Sequence, residues 1–505
     1  MGLLDRAGGQ LTARAEDAEI LVVNTCSFID SAKQESVNAI LEMARHKREN
    51  GGKARRLIVA GCLVERYRDE IRKNIPEVDA VVGTGELESI LLAAGLPAAG
   101  LATQPQTTPS ASPFNILLSR AASAVHQHSH PSEVGPQLEI AGAPRLDSET
   151  WVSAAATRSR AEGDARQRQG RFSRAQWTGA TAALPEYLYS DETPRILTTP
   201  RSSAYIKIAE GCDHPCSFCI IPQLRGKFRS RRLESIVAEA QRLIAQGVRE
   251  ITLIGQDTTC YGEDLGLRDG LSTLLDALAP LPGLKWLRFL YAYPNKITTR
   301  LLETIARHET IAKYLDVPLQ HASVSVLKRM KRGGTAEVFL RLIEKARAKV
   351  PGIVLRSTFI VGFPGETAED FNQLCEFVAA AKIDWLGVFG YSDEEGAASF
   401  SLDRALKVPK RTIEVRRRRL MKLQQKISAK AKAAWVGREV DVLVEGESDE
   451  TELLWQGRTA LHAPEIDGKV LINDFGPHDA LVPGTFYRAQ ITESHEYDVV
   501  ARIIE

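Results

Sequence analysis

The sequence predicts an α/β protein in three parts: an N-terminal α/β domain, a central partial (β/α)6 barrel and a small C-terminal all-β barrel. Three observations lead to this prediction. Short apolar runs alternate with helix-like segments over residues 19–85 and again from Tyr205 onward. Residues 95–194 between them are rich in Ala, Ser, Thr, Gln and Pro. From Val436 the pattern changes to short strands separated by turns.

Composition excludes several classes of protein. A chain of 505 residues is too long for a single core, so about two to four domains are expected. Seven cysteines are an odd and sparse set, which argues against a secreted disulfide scaffold. The net charge of +1 indicates no affinity of the whole chain for nucleic acid or membrane. We expect a cytoplasmic protein, since the start lacks a signal peptide and the longest apolar stretch, residues 90–102, is broken by Gly95 and Pro97.

The N-terminal domain is expected to cover residues 1–94. The runs EILVVN, RLIVAG and VDAVVG suit buried strands, and residues 29–47 and 63–74 are typical of helices. Residues 95–197 form a predicted linker, disordered or loosely ordered because its apolar periodicity is weak. The linker contains three closely spaced histidines, His126, His128 and His130. They could form a metal-binding tract, but solvated side chains are the simpler interpretation.

The central domain is expected over residues 198–434. Six apolar runs predict its strands, namely YIKIA, EITLIGQ, WLRFLY, YLDVPLQ, VLRSTFIVG and WLGVFGYS. Helices are predicted between or after them, at residues 234–246, 271–278, 298–307, 336–349 and 368–381. Successive βα units favour a parallel barrel or part-barrel with its site at the carboxyl ends of the strands.

A strongly basic helix after Pro409 leads into the C-terminal domain, residues 435–505. Its basic residues include Arg416, Arg417, Arg418, Arg419, Lys422 and Lys426. An exposed face is the simpler interpretation of this helix, and docking of a partner is the alternative. The C-terminal domain has turns at Gly446, residues 467–468 and residues 483–484, which predict a small barrel.

The segment EGCDHPCSFCIIP carries the clearest chemical signal. It places Cys212, Cys216 and Cys219 as C-x3-C-x2-C directly after the first strand of the central domain. Three thiolates on one loop can hold three irons of a cubane cluster and leave the fourth iron open to a small molecule. A zinc site would take four ligands, or three and a water, and His214 would have to compete with closer thiolates. Chance clustering of cysteines is the remaining alternative.

This loop, its place on a six-unit barrel and the later GFPGET turn resemble the radical S-adenosylmethionine (SAM) superfamily. The resemblance implies a [4Fe–4S] cluster on the three cysteines. It also implies that SAM binds the open iron and is cleaved to a 5′-deoxyadenosyl radical. The protein's contribution in such enzymes is orientation and a dry site.

Motifs over nearly the whole chain, except the linker, resemble the radical SAM methylthiotransferase family. They are NTCSFIDSAKQES, VAGCLVERY, AYIKIAEGCDHPCSFCIIPQLRGKFRSR, LIGQDTTCYG, DVPLQHAS, STFIVGFPGET and YSDEEGA. GQDTT, PLQHAS and YSDEEG resemble the branch that modifies an aspartate β-carbon of ribosomal protein S-twelve (the RimO type). The tRNA-modifying branch (the MiaB type) usually reads GQN, PVQSGS and YSPRPG. The resemblance implies a second cluster in the N-terminal domain and a C-terminal TRAM barrel.

The charge of the C-terminal domain favours the protein-modifying branch. From Val436 to Glu505 there are five Lys or Arg against fifteen Asp or Glu. Such an acidic domain should repel RNA and attract a basic ribosomal protein, so direct RNA binding by this barrel is not expected. An ordinary solubilising surface is the alternative interpretation.

The second cluster has two candidate ligands, Cys26 and Cys62, each following a predicted strand. The resemblance implies that both are ligands and requires a third cysteine after an earlier first strand, and we find neither that strand nor that cysteine before Cys212. Truncation of the N-terminus by a late start codon, a different third ligand, or an enzyme that cannot transfer sulfur are three explanations. Cys260 and Cys375 are interpreted as ordinary buried thiols.

SAM-binding residues are predicted at the ends of other strands. In the GFPGET turn, Gly362 and Gly365 suit close approach of the backbone to a ligand, and Glu366 is assigned with them. A plain turn with Thr367 as helix N-cap is an equal alternative. Polar residues at or near other strand ends complete the prediction; these are Gln256, Gln320 and Arg356.

The resemblance implies methylthio transfer to ribosomal protein S-twelve with SAM and two [4Fe–4S] clusters as cofactors. No interaction with a membrane is expected. An electron donor such as a flavodoxin or ferredoxin is implied as a partner. Methylthiolation of tRNA adenosine is the nearest alternative, and an inactive binding module lacking the third N-terminal cysteine is the other.

Overall fold

The computed structural model describes residues 1–96, 113–115, 187–448, 451 and 453–505. The chain divides into two compact units, residues 4–179 and residues 1–3 with 180–505. Most of the predicted linker, residues 95–197, lies outside the described residues, and so do His126, His128 and His130. Among the α-helices of the described residues, none combines an apolar sequence with the length that a bilayer crossing requires.

The unit of residues 4–179 is built on a parallel three-stranded sheet. The strands of this sheet are β2 (Ile20–Thr25), β3 (Arg56–Gly61) and β4 (Ala80–Val82). Two further strands, β1 (Gln10–Thr12) and β5 (Pro113–Asn115), form a separate pair. The helices of this region are α1 (Gly2–Arg6), α2 (Asp30–Ala44), α3 (Cys62–Asn74) and α4 (Ser89–Ala94). Strand β3 lies between β2 and β4, and the predicted apolar runs form all three. The parallel pairing of β1 with β5 was not predicted.

The second unit contains the predicted partial barrel. Its parallel strands are β6 (Ser203–Lys207), β9 (Glu250–Ile254), β10 (Trp286–Phe289), β11 (Tyr314–Asp316), β12 (Val354–Val361) and β13 (Trp385–Gly390), and a short hairpin, β7 (Ala209–Glu210) with β8 (Arg229–Ser230), follows β6. The strands form two three-stranded sheets. Leu287 joins these sheets, since its N donates to Thr310 O (2.8 Å) and its O accepts from Ala312 N (2.9 Å). The strand order therefore follows the chain, as the sequence predicts.

Helices cover the strands of the barrel. They are α5 (Ile221–Arg225), α6 (Leu233–Ala245), α7 (Gly270–Leu278), α8 (Thr299–Arg307), α9 (Val324–Arg329), α10 (Ala336–Lys349), α11 (Ala368–Ala381) and α12 (Lys410–Ala433). Threonine side chains fix where three of them begin, because Thr298, Thr335 and Thr367 each accept a hydrogen bond from the first turn. Thr367 forms a full capping box with Asp370, as the alternative interpretation of this turn expects.

The C-terminal strands close into the predicted small barrel. They are β14 (Glu439–Glu447), β15 (Trp455–Arg458), β16 (Val470–Asp474), β17 (Phe486–Ser494) and β18 (Val499–Ile503). The order around the barrel is β14, β15, β16, β18 and β17, and only β16 and β18 pair in parallel. Alternate side chains of β17 fill its interior, as the period of a strand requires.

A buried ion network fixes this small barrel to the central one. Glu250, the first residue of β9, is fully buried and binds Arg458 of β15 (Nη2–Oε2, 2.7 Å) and Arg288 of β10 (Nη2–Oε1, 3.1 Å). Burial opposes ionisation of Glu250, but the two guanidinium groups outweigh it and lower its pKa to about 2. The small barrel therefore packs at the amino-terminal ends of the central strands and leaves their carboxyl ends uncovered by this contact.

Candidate functional site

The three cysteines of the C-x3-C-x2-C motif lie on one loop between β7 and α5. Gly211 begins the loop with φ at +82°, and a Cβ there would lie 2.1 Å from Lys227 O, so only glycine fits. Inside the loop, the Ser217 backbone N donates to Met330 O (3.0 Å) and its hydroxyl to Arg329 O (2.8 Å). These contacts hold the loop in one position against the end of α9.

The three thiols are partly exposed, and none of the seven cysteines, all within the described residues, forms a disulfide. Burial raises the pKa of Cys212 to about 11 and that of Cys219 to about 12, and charge on the neighbouring loop thiols adds to both effects. A bound cation is therefore needed to hold them as thiolates. Cys216 Sγ accepts a hydrogen bond from Arg332 Nη1 at 3.4 Å. Three soft donors on one rigid, partly open loop fit a [4Fe–4S] cluster with one open iron.

A stack of side chains lies beside this loop. The Arg332 guanidinium carbon is 4.5 Å from the centre of the Tyr293 ring, and the His214 ring is parallel to that ring at 3.8 Å. His214 Nε2 lies 2.5 Å from Asp257 Oδ2. The stack therefore connects the cysteine loop to residues that follow β9 and β10. The sequence indicates His214 only as a rival ligand, and its pairing with Asp257 has no local signal because the two residues are 43 positions apart.

Asp257 is the centre of a compact polar cluster. Its carboxylate also accepts hydrogen bonds from Cys260 Sγ (3.0 Å) and from Thr259 N (2.8 Å). Burial opposes ionisation of Asp257, but hydrogen bonds from His214, Thr259 and Cys260 outweigh it and hold its pKa below the usual range. The ligand atoms of His214, Asp257 and Cys260 lie within 4.8 Å of one another, and these hydrogen bonds explain their closeness without a metal. The remaining thiol, Cys375, packs against the core. It and Cys260 are only partly buried, whereas the sequence predicted buried thiols.

Two glutamines follow the carboxyl ends of central strands. Gln256 comes after β9, and its Oε1 is buried without a hydrogen-bond partner among the described residues. Gln320 comes after β11 with φ at +72°, and its backbone is held by Thr358 O and Ile360 N, both at 2.8 Å. An unsatisfied buried acceptor and a left-handed non-glycine residue are both typical of ligand sites.

The GFPGET turn is stabilised from within the chain. Gly362 has φ at +79°, and a Cβ there would lie 2.3 Å from the Ile413 side chain. Glu366 Oε2 accepts from Gly362 N (2.5 Å), and its Oε1 accepts from Arg416 Nη1 (2.7 Å). Gly365 has φ at +80°. The glycines are thus required by the turn and its packing on α12, and Glu366 is directed to the turn, which differs from the predicted cofactor contact.

Arg356 occupies a different place from the one predicted. It is the third residue of the eight-residue strand β12, near the amino-terminal end. Its guanidinium pairs with Asp316 Oδ1 (2.9 Å) and lies 3.6 Å from Asp467 Oδ1 of the C-terminal barrel. These contacts make Arg356 part of the packing between the barrels, at the end away from the cysteine loop.

In the N-terminal unit the sheet brings Cys26 and Cys62 to neighbouring strand ends. Thr25 and Gly61 are paired in register, and each cysteine is the next residue. Gly61 has φ at +101°, and a Cβ there would lie 2.5 Å from Thr25 O. The Ser27 hydroxyl donates to Cys62 O at 3.0 Å. This unit contains two cysteines, so a cluster held by three of its own thiolates does not fit it.

Comparisons with known proteins agree with this architecture. Residues 206–378 match the radical SAM superfamily, residues 436–504 match the TRAM domain, and residues 1–83 match the uncharacterized protein family UPF0004. A protein of Koribacter versatilis named ribosomal protein uS12 methylthiotransferase RimO is 62% identical, with 100% of this chain and 92% of the relative covered. Relatives of the same name from Solibacter usitatus and Pelotomaculum thermopropionicum are 50% and 40% identical. Each match covers 100% of this chain, and 90% and 95% of those relatives.

Proposed function

Because the chain belongs to the RimO family of ribosomal protein uS12 methylthiotransferases, we propose that it adds a methylthio group to an aspartate β-carbon of uS12. The observation that carries the proposal is the rigid loop of three thiols beside the ends of a parallel barrel. Nothing in the relatives favours the tRNA alternative. A ribosomal substrate also agrees with action in the cytoplasm.

The family implies a [4Fe–4S] cluster and SAM. We assign the cluster to Cys212, Cys216 and Cys219; when bound, it supplies the electron that cleaves SAM to a radical able to remove hydrogen from carbon. Arg332 would stabilise thiolate charge at Cys216 through its hydrogen bond. The stack of Arg332 on Tyr293 limits the freedom of the guanidinium, so the bond needs no further ordering.

Gln256 is the strongest candidate for a direct contact with SAM. Its buried Oε1 lacks a partner among the described residues, and an ammonium group such as that of SAM is a suitable donor. Gln320 is placed with it because the strand-end conformation is strained. Gly362 and Gly365 remain candidates for backbone contacts. Arg356 and Glu366 we assign to packing of the small barrel and to the turn.

Cys26 and Cys62 would supply two ligands of a second cluster. Exogenous or unassigned groups would supply its remaining ligands. Their neighbouring strand ends make this pairing possible. An electron donor such as a flavodoxin or ferredoxin completes the proposed partners, because cleavage of SAM consumes an electron. The acidic C-terminal barrel agrees with a basic protein substrate and argues against RNA binding by that barrel.

The test is product formation under strict exclusion of oxygen. The reconstituted protein, SAM, a reductant and sulfide are incubated with uS12, and the product is digested and measured by mass spectrometry. We expect one methylthio group in place of one hydrogen on a single aspartate. Modification of tRNA instead, or no change to uS12 while SAM is cleaved, would overturn the proposed substrate.

A further inference from the structure

Helix α12 has a charge unlike that of the rest of the chain. Its 24 residues, KRTIEVRRRRLMKLQQKISAKAKA, contain ten Lys or Arg and one Glu. The whole chain has a net charge of only +1, and the barrel that follows is acidic. The helix is therefore strongly basic within a chain that is nearly neutral as a whole.

Some of these charges are used inside the fold. Arg416 binds Glu366 (2.7 Å), and Arg417 binds Glu414 through Nε and Nη2, both at 2.9 Å. Lys432 is buried, 2% exposed, and lies over the Trp385 ring at 3.5 Å. Arg416 and Lys432 therefore belong to the packing of α12, and the charge of Arg417 is neutralised by Glu414 on the same helix.

Five others form what we call the basic stripe, an exposed face of α12. Lys410, at the start of the helix, and Arg419, whose guanidinium carbon lies 5.4 Å from the centre of the Phe371 ring, are left out of it. Its members are Arg411, Arg418, Lys422, Lys426 and Lys430. At about 100° and 1.5 Å per residue they lie within an arc of roughly 120° and a length of roughly 28 Å. The opposite face is buried through Leu420, Gln424 and Ser428, which fixes the direction in which the stripe points.

The stripe is poorly neutralised. Arg418 pairs with Glu414 (2.7 Å) while 77% exposed. Within the described part of the chain, Lys422, Lys426 and Lys430 have no acidic partner, and they are spaced by four residues, so their like charges repel. Ordinary solvated helix faces mix both signs. A one-sided row of cations along a rigid helix suits a polyanion with regularly spaced charges.

We propose that the basic stripe is a docking surface for the phosphate backbone of RNA. The choice of RNA rests on the proposed function, since uS12 belongs to the RNA-containing small ribosomal subunit. A membrane surface suits the stripe less well, because the apolar face of α12 is buried in the protein. The acidic C-terminal barrel repels phosphate, so it should not share in the RNA contact.

The probe is purified 16S ribosomal RNA, and the measurement is its binding to the full chain as a function of salt. The variant K422Q/K426Q/K430Q removes three charges at i, i+4 and i+8 of α12. The control R341Q/K345Q/K349Q removes three at the same spacing from α10, where Glu344 lies among them. Both sets are exposed, so thermal unfolding should be unchanged.

For the stripe variant, the slope of log affinity against log salt concentration should be shallower by about 2–3. Its affinity at 0.1 M salt should be lower by a factor on the order of a hundred. The control should change neither. Equal effects of the two variants, or no binding by the wild-type chain, would overturn the proposal. The proposal would also be overturned if the stripe variant lost binding to phosphatidylglycerol vesicles while its binding to RNA stayed unchanged. Methylthiolation of a free uS12 peptide is assayed in parallel: failure there with normal RNA binding contradicts the proposed function and leaves the stripe supported.

Discussion

Replacement of Glu250 by Gln should destabilise the docking of the C-terminal barrel on the central barrel. The buried carboxylate carries Arg458 and Arg288, which lower its pKa from the ordinary 4.5 to about 2. A difference of about 2.5 pKa units corresponds to about 3 kcal/mol at neutral pH. Removal of one member of a buried ion pair costs about 3–5 kcal/mol, because the partner charges remain buried. We therefore expect E250Q to lower the free energy of unfolding by about 3 kcal/mol.

The measurement is urea unfolding followed by tryptophan fluorescence, since Trp385 donates from its indole N to Leu461 O (3.1 Å) in this contact. A depressed carboxyl pKa stabilises above about pH 4.5 and loses that effect as the pH falls towards 2, so E250Q should also flatten the pH dependence in that window. The exposed Glu344→Gln is the control and should change stability by less than about 0.5 kcal/mol. An equally small change for E250Q would refute the reasoning.

Three further predictions concern the cysteine loop, the GFPGET turn and the N-terminal unit. Arg332→Gln should lower the reduction potential of the cluster by about 60 mV, which is a tenfold loss of reduced cluster at a fixed potential. The exposed control Lys328→Gln should leave the potential unchanged. The measurement is a potentiometric titration followed by electron paramagnetic resonance. Gly362→Ala should lower the free energy of unfolding, measured with urea, by about 1–3 kcal/mol more than Gly352→Ala does. Both glycines have positive φ, but only at Gly362 would the added Cβ meet a side chain. Equal effects of the two substitutions would contradict this. Cys62→Ala should lower reconstituted iron from about eight to about four per chain, and unchanged iron would remove this thiol from any cluster.

Elements that depend on local pattern could be predicted from the sequence. The apolar runs around Ile20 and Arg56 and the six barrel strands fold as expected, because continuous apolar segments must be buried. The cysteine loop was found because its spacing is local. Thr367 was recognised as a possible cap for the same reason.

Contacts between distant segments could not be predicted. Arg356 looked like a site residue because nothing local reveals Asp467, which lies 111 positions later and pairs with it across two barrels. Glu366 is bound by Arg416, and Asp257 by His214, through tertiary packing alone. Arg356 and Glu366 could be named as candidates from the sequence, and Asp257 could not, because only the fold determines the partner of each.

The most direct test of the account is the release of 5′-deoxyadenosine from SAM by the chain reconstituted with iron and sulfide without oxygen. We predict release by the wild-type chain and by Cys375→Ala, and none when Cys212, Cys216 and Cys219 are each replaced by Ala. Absence of release from the wild-type chain, or undiminished release after loss of the loop thiols, would contradict the central claim.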